Sequence, residues 1–424
     1  MTTRRSVAVI GSGVAGLTAA HVLAKRDHVT LFEADTRLGG HAHTHHVDGG
    51  AGEIVAVDSA FLVHNDRTYP TLCRLFDELG VATRDTDMSM SVRCAKTGLE
   101  YAGARGIGGL FPTLRNLARP RYLAMLAEVK RFHLAASALL RDTHADDEPV
   151  REFLARQNFS GFFVEYFITP LVAAVWSCPP GTALDYPARY LFTFLDHHGM
   201  LTVFGSPAWR TVVGGSARYV EAIAAGVDEV RTGTRVQEVR RVSEGVQIQT
   251  DCGTHQFDAV VVATHSDQAL ALLAEPTPAE RTVLGAMPYS TNQARLHTDE
   301  SVLPRHRRAR ASWNYLIDHR SDEVAVTYDV SRLMRLRTPR RFLVTLGAQD
   351  RVNPATVLAE MTYHHPIYTP ESLAAQQVLS TLDDNRVVFA GAYHGWGFHE
   401  DGAASGLRAA RRLQTHRDRV EVSV

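Results

Sequence analysis

The sequence predicts an α/β protein built on an N-terminal nucleotide-binding βαβ unit. Three observations predict it. Residues 6–11, SVAVIG, form a short and wholly apolar run of the kind that buried parallel strands show. Gly11-Ser12-Gly13-Val14-Ala15-Gly16 follows at once and opens a segment, GVAGLTAAHVLAKR, with helical spacing of its apolar residues. A second strand-like run, HVTLFEA at 28–34, carries Glu33 near its end, 22 residues after Gly11. In such a unit Gly11 permits the tight turn, Gly13 lets a pyrophosphate reach the backbone, and Gly16 lets the helix lie close to the sheet. The helix N-terminus then faces the phosphates, and a carboxylate at Glu33 is placed for a ribose hydroxyl. The motif alone does not choose between NAD and FAD.

Composition bounds the rest. The chain has 424 residues, long for one domain and natural for two interleaved ones. Hydrophobic residues make up 45% and charged residues 21%, an ordinary globular balance. A net charge of −1 gives no global field that argues for nucleic acid. Cys73, Cys94, Cys178 and Cys252 are scattered and form no CxxC pair, which suits a reducing, cytoplasmic setting and not a zinc finger or a disulfide frame. MTTRR runs straight into the first strand, so no secretory leader is read there. The most apolar stretch, 161-GFFVEYFITPLVAAVW-176, is broken by Glu165 and Pro170 and is too short to span a bilayer; a buried or membrane-facing surface is expected.

Four of the residues in 37-RLGGHAHTHHVD-48 are histidine: His41, His43, His45 and His46. On a strand, His41, His43 and His45 would share one face. A metal site needs convergent ligands and supporting carboxylates, and no such pattern lies nearby, so no metal is expected. What precedes the tract explains it better. Arg37-Leu38-Gly39-Gly40-His41, close behind Glu33, resembles the R-x-G-G-R loop of the superfamily of flavin-containing amine oxidases, phytoene desaturases and protoporphyrinogen oxidases, with His41 where arginine is usual. Asp58-Ser59-Ala60-Phe61 resembles its D-x-G-A segment, with Ser59 replacing glycine. Tyr69-Pro70 with LCRLFDELGV, the 209–225 segment WRTVVGGSARYVEAIAA, the pair 234–242 and 257–264, and 387-VVFAGAYHGWGFHEDGAASGLRAA-410 complete an ordered set covering about half the chain.

That resemblance implies a Rossmann-like FAD-binding domain of amine oxidase type with an α+β substrate or cap domain, and FAD, bound non-covalently, as cofactor. It implies cofactor contacts at Gly11, Ser12, Gly13, Val14, Ala15 and Gly16 in the turn. Further contacts are implied at Glu33, Ala34, Arg37, Gly39, Gly40 and His41, at Ala60 and Phe61, and at Val236 and Ala263. The late segment adds Gly391, Glu400, Asp401, Gly402 and Ala403. His43, His45 and His46 are left at the cavity edge or in solvent. The FAD-binding domain is then discontinuous, 1–90, 205–270 and 380–424, and the inserts 91–204 and 271–379 form the cap. The first insert is mostly helical by pattern, as in RYLAMLAEVKRFHLAASALLRD (121–142); the second has strand-like runs at EVAVTYDV (323–330) and RFLVTLG (341–347).

The expected chemistry follows from the cofactor: FAD takes a hydride at N5 while the protein places the substrate carbon against it. Flavin amine oxidases carry a lysine near N5 late in the chain, and this sequence has none after Lys130, which disfavours amine oxidation. Tyr393, His394 and His399 are the candidate catalytic residues, with the histidines expected to exchange a proton near neutral pH. VDSAFLVHNDRTYP, YHHPIYTPESLAAQ (363–376) and GAYHGWGFHEDG resemble more closely a bacterial subgroup of FAD-dependent oxidoreductases, whose genes often neighbour cyclopropane-fatty-acid-synthase-like methyltransferases. This implies desaturation or oxidation of a fatty-acyl chain, an apolar or lipid substrate. The alternatives are a redox-neutral double-bond isomerase and a non-catalytic flavoprotein partner of a lipid methyltransferase. Finally, in 105-RGIGGLFPTLRNLARPRYL-123 the residues Ile107, Leu110, Phe111, Leu114 and Leu117 alternate with Arg105, Arg115, Arg119 and Arg121. Such a stretch suits reversible contact with an anionic membrane, here the inner face of the cell membrane. Nothing in the sequence fixes the oligomeric state.

Overall fold

The computed structural model describes residues 4–50, 52–142, 144, 148–202, 206–318 and 324–422, with 349 and 416–422 as backbone only. The first strand, Ser6–Ile10, is the centre of a five-stranded parallel sheet. Its order is Glu229–Arg231, His28–Phe32, Ser6–Ile10, Ala259–Val262, Val387–Phe389. Ala8 stands beside Thr30 on one side and Val260 on the other. Helices cover one face of this sheet and a small three-stranded sheet packs on the other, which is why Val7, Ala8 and Val9 are fully buried and the strand has no polar face.

Two glycines close the first crossover. Gly11 has φ +96°, and a Cβ there would stand 2.6 Å from the Ala263 carbonyl oxygen. A Cβ on Gly16 would stand 1.9 Å from the Gly11 carbonyl oxygen, so the helix Val14–Leu23 can approach its own turn only with glycine there. The last helix, His399–Val422, lies against the same helix; a Cβ on Gly406 would be 2.1 Å from the Ala15 oxygen. The end of the chain is thereby brought to the glycine turn at its start.

A seven-stranded sheet forms the other half of the molecule, in the order Val357–Pro366, Tyr289–His297, Leu343–Leu346, Val326–Asp329, Trp313–Ile317, Met90–Cys94, Glu100–Ala102. The run expected as a strand over 323–330 is thus Val326–Asp329, and 323 lies outside the described residues. The first insert is not wholly helical: Met90–Cys94 and Glu100–Ala102 complete this sheet, the former pairing in parallel with Trp313–Ile317. Most of the other described elements of that insert are helices, the longest being Pro120–Arg141. In the stretch 161–176 the helices Gly161–Phe163 and Thr169–Trp176 flank a π-helical turn at Val164–Ile168. Phe163, Ile168, Val172 and Trp176 are buried, and the Phe163 ring lies 5.7 Å from that of Phe132 on the long helix Pro120–Arg141. This stretch is apolar because it is core, and no described helix is long and apolar enough to cross a membrane.

A second core cluster joins the three-stranded sheet of Val236–Val242, Gly245–Thr250 and Gly253–Phe257 to the helices Ser266–Leu272, Pro278–Gly285 and Pro370–Val378. Thr277 and Glu280 form a reciprocal capping box at the start of one of these helices, as the order Thr-Pro-x-Glu specifies.

Candidate active site

A cavity of about 680 Å³ lies between the two sheets and reaches the glycine turn. One end is walled by Gly11, Ser12, Gly13, Val14, Ala15, Glu33, Ala34, Val236 and Ala263. Next come Gly40, His41, Ala60, Phe61 and Gly391, together with Tyr393 and His399. The far walls come from both inserts, through Val175, Trp176, Phe194, Met200, Trp313, Tyr328 and Leu346, and from Met88, Trp396 and Phe398 beside them. Most of the predicted cofactor residues therefore line one cavity, although they are scattered over nearly the whole chain.

The glycine turn is buttressed from within. The Glu33 carboxylate accepts the Ser12 amide at 2.9 Å, the Ser12 hydroxyl at 2.5 Å and the Asp35 amide at 2.9 Å. Ser12 also accepts the Gly39 amide, through its hydroxyl at 3.1 Å and its carbonyl at 3.1 Å. Two features fit FAD. A Cβ on Gly13 would meet no protein atom within 4 Å, so its missing side chain opens on the cavity where a pyrophosphate needs room. Nε2 of His41 is buried without a partner on the cavity wall, a polar atom that calls for a ligand. Burial, then neighbouring histidines and Arg37, hold the His41 pKa well below its ordinary value, so it is neutral and can accept or donate one hydrogen bond.

Several predicted contacts are corrected. Arg37 turns away from the cavity to Asp35, 3.5 Å distant, because that carboxylate is its nearest opposite charge. Gly16 and Gly39 shape the turn from behind and do not line the wall. Glu400 does not reach the cavity. Its carboxylate caps the helix Pro70–Leu79, whose first free amides, Thr71 and Leu72, donate to it at 2.9 and 3.0 Å. Asp401 accepts the Phe398 amide at 2.9 Å and so holds the loop that carries Trp396 and Phe398. Gly402 and Ala403 are buried in the packing of the last helix against Val14 and Ala15. His394 lies off the cavity with its Nε2 buried and unpartnered.

The expectation of proton exchange near neutral pH is also corrected. Burial lowers both His394 and His399 to about 3, so both are neutral at pH 7. His399 remains on the wall, stacked on Phe61 at 3.8 Å and sharing a hydrogen bond with the Tyr219 hydroxyl at 3.2 Å. The Tyr393 hydroxyl is buried without a partner, and burial raises its pKa well above the ordinary phenol value.

His43 and His45 lie one hydrogen bond behind the wall. His41 and His43 precede the strand Thr44–Asp48, so the three alternate histidines do not share a strand face; only His41 reaches the cavity. His43 bonds the Tyr363 hydroxyl at 3.1 Å, Tyr363 bonds Ser59 at 2.7 Å, and Ser59 bonds His45 at 2.9 Å. His46 is exposed. No group of three or more potential ligands is placed to hold a metal ion among the described residues. His45→Ala should accordingly leave FAD occupancy unchanged. Loss of a stoichiometric metal from this variant, measured by elemental analysis, would contradict that assignment.

Sequence reasoning missed a second cluster. Tyr363, His364 and His365 end the strand Val357–Pro366 and face Tyr289 and His265 across the cavity wall, and His365 is 5.3 Å from His41. His265 stacks on Tyr289 at 4.5 Å. The signal was present in YHHP, but nothing local ties that tetrapeptide to His41, more than three hundred residues earlier. Ser177 also lines the cavity, in a left-handed conformation with φ +51° at the end of Thr169–Trp176, a strained backbone that the sequence does not announce.

Titration in this region has a definite sign. Burial raises Asp401 to about 7, far above the ordinary unfolded value near 3.9. The stability from keeping it protonated is present below the unfolded pKa and is lost as pH rises through about 7. Asp401→Asn should therefore gain stability over the parent between pH 5.5 and pH 8, seen as a relative rise in melting temperature and bounded at about 2 kcal/mol, the share of the shift that falls above pH 5.5. An equal difference at both pH values would show that Asp401 does not titrate there. The buried histidines act oppositely. Their depressed values mean stability is lost as pH falls below their unfolded value of about 6.5.

The chain matches the family Flavin containing amine oxidoreductase over residues 14–354 and 354–414. It is 25% identical over 288 residues to AofH of Mycobacterium tuberculosis, described as a flavin-containing monoamine oxidase, an alignment covering 64% of this chain and 59% of that one. The chain thus spans less than two thirds of the length of the curated relative it matches. Among solved structures it superposes on the cyclohexylamine oxidase from Brevibacterium oxydans IH-35A with TM-score 0.71 and 17% identity, covering 98% of this chain and 100% of that one. It superposes on the CLA-producing fatty acid isomerase from P. acnes with TM-score 0.69 and 15% identity, covering 97% and 99%. At these identities the superpositions establish the fold. With the glycine turn, the returning last helix and the family match in agreement, the chain belongs to the flavin-containing amine oxidoreductase family, whose cofactor is FAD.

Proposed function

We propose that the protein is an FAD-dependent oxidoreductase that desaturates or oxidises a fatty-acyl chain. The observation that carries this reading is the charge of the cavity wall. Among the described residues, Glu33 and Arg235 are its only acidic or strongly basic members, and both adjoin the nucleotide end. Elsewhere the wall is mostly aliphatic and aromatic with uncharged polar side chains, and burial lowers His365 to about 4 and His399 to about 3. A protonated amine entering it would give up its hydration with no carboxylate to receive it. An acyl chain gives up nothing and gains about 0.8 kcal/mol for each methylene buried. The wall also carries no lysine, in keeping with the absence of any beyond Lys130.

Bound FAD supplies a two-electron acceptor for a substrate C–H bond. Gly13 and the amides of the turn would hold its pyrophosphate, Glu33 its ribose, and His41, Ala60, Phe61 and Gly391 would lie along its flavin end. The protein's own contribution is mostly placement. Trp176, Phe194, Trp396 and Phe398 line an apolar stretch of the wall. The pair Tyr219–His399 and the Tyr363–Ser59 bond fix the polar side chains behind it, so that the wall presents one geometry. The similarity in fold to a fatty acid isomerase supports an acyl substrate.

The reading is tested by expressing the protein in a bacterium that lacks it and analysing membrane lipids by mass spectrometry. Acyl chains that lose two hydrogens or gain oxygen are expected. A shifted double bond at unchanged mass would replace oxidation by isomerisation, and unchanged lipids with full flavin occupancy would leave only a binding role.

A further inference from the structure

We infer that the face formed by residues 105–123 and 305–308 is a docking surface for an anionic phospholipid bilayer. It stands on surface geometry alone and does not depend on the identity of the substrate.

Four large aliphatic side chains project here: Ile107 is 79% exposed, Leu114 84%, Leu117 53% and Leu123 41%. Of the sequence-predicted apolar set, only Leu110 and Phe111 turn inward to the core. The projection is held in place by buried polar groups. Asn116, itself buried between the exposed Leu114 and Leu117, donates through Nδ2 to the Glu100 carbonyl at 2.9 Å and to the Leu110 carbonyl at 3.2 Å. The Tyr122 hydroxyl donates to the Leu110 carbonyl at 2.8 Å. The leucines therefore point outward from a fixed frame.

The fold adds a second basic segment that the sequence places nearly two hundred residues away. The same Glu100 accepts the amides of Arg305 and His306 through its carboxylate, at 2.9 and 3.0 Å. One residue thus pins both segments, the first through its carbonyl and the second through its side chain. A Cβ on Gly108 would lie 3.9 Å from Cδ of Arg308, which sets that arginine over the helix Gly106–Leu110. Arg305, Arg307 and Arg308 are exposed, as are Arg115 and Arg121, and none forms an ion pair among the described residues. The neighbouring acids are already matched: Glu300 with Arg310 at 2.7 Å, and Asp87 with Arg105 at 3.2 Å and Arg332 at 3.0 Å. Arg119 differs from its neighbours, because its guanidinium donates to the Thr97 carbonyl and fastens the segment to the body.

The result is a patch of one sign whose tips are aliphatic. Nucleic acid would meet the arginines but would offer no hydrocarbon to leucine and isoleucine, and no phenylalanine, tyrosine or tryptophan side chain is exposed here among the described residues to stack on a base. An anionic bilayer meets both: phosphates take the guanidinium groups, and the aliphatic tips enter the boundary between head groups and acyl chains.

The test is co-sedimentation of the FAD-loaded protein with phosphatidylglycerol vesicles and with phosphatidylcholine vesicles, at low and high salt. Binding to phosphatidylglycerol that falls with salt is expected, with little binding to phosphatidylcholine. Arg115→Glu, Arg121→Glu, Arg307→Glu and Arg308→Glu combined should weaken it by at least about tenfold. Leu114→Ser with Leu117→Ser should weaken it at equal charge. The flavin spectrum reports that each variant is folded. Equal binding by parent and both variants, or a parent that stays in the supernatant, overturns the proposal. So does a parent that ignores vesicles but self-associates through these residues in sedimentation velocity, which would make the patch a protein interface.

Discussion

Gly13→Val gives a folded protein that purifies without FAD. The backbone at Gly13 has φ −63° and ψ 172°, an extended conformation open to valine. The added carbons meet no protein atom within 4 Å of Cβ, so the fold itself has no reason to fail. They extend instead into the cavity that Gly13 lines, at the turn where the pyrophosphate must reach the backbone. A loss of at least about 3 kcal/mol in FAD binding, roughly a 150-fold rise in Kd, is expected. Gly16→Val provides the contrast. Its Cβ would fall 1.9 Å from the Gly11 oxygen, so that variant should fail to fold and not merely fail to bind. Flavin absorbance per protein together with circular dichroism separates the two cases. Full flavin occupancy in Gly13→Val would sink the assignment of the glycine turn.

The second large effect is expected at Asp58. Its carboxylate is buried at the end of the strand Ile54–Asp58 and accepts the Ser216 amide at 2.9 Å, the Ser216 hydroxyl at 2.9 Å and the Thr44 hydroxyl. Thr44 in turn accepts the Ala217 amide at 2.9 Å, so one carboxylate ties the histidine tract to the start of the helix Ala217–Ala224. Asp58→Ala leaves these donors buried and unmet, a cost of about 2–4 kcal/mol. It also frees the next residues, Ser59, Ala60 and Phe61, which line the cavity. Denaturant unfolding should show the loss, and FAD affinity should drop with it. Stability within about 0.5 kcal/mol of the parent would mean that the Asp58 bonds contribute nothing net.

Much of this site was legible because its residues act locally. The turn from Gly11 to Gly16 announces itself through spacing, and Glu33 through its distance from the turn. The last segment was recognisable as a block, but the roles within it were not. Glu400 and Asp401 look like ligands in a sequence, yet the helix Pro70–Leu79 presents free amides to one and the loop before His399 presents an amide to the other. The first partnership depends on packing between elements more than three hundred residues apart, and the second on how the chain turns into its last helix. The histidines were misjudged for the same reason. A side chain's pKa reflects its burial, and His399 is enclosed by Phe61 and Tyr219, neither of which is its neighbour in sequence. The parallel pairing of Met90–Cys94 with Trp313–Ile317 was likewise hidden, since short strands in a helical insert show no partner until the sheet assembles.

The central claim, flavin-dependent oxidation of an acyl chain, is tested most directly by anaerobic titration of the FAD-loaded protein. One arm uses unsaturated phosphatidylglycerol in vesicles, the other primary amines, and the flavin absorbance is followed in each. The charge-free wall around Trp176, Phe194 and Phe398 predicts bleaching by the lipid and none by the amines. Bleaching by the amines alone, with the lipid leaving the flavin oxidised, would contradict the account.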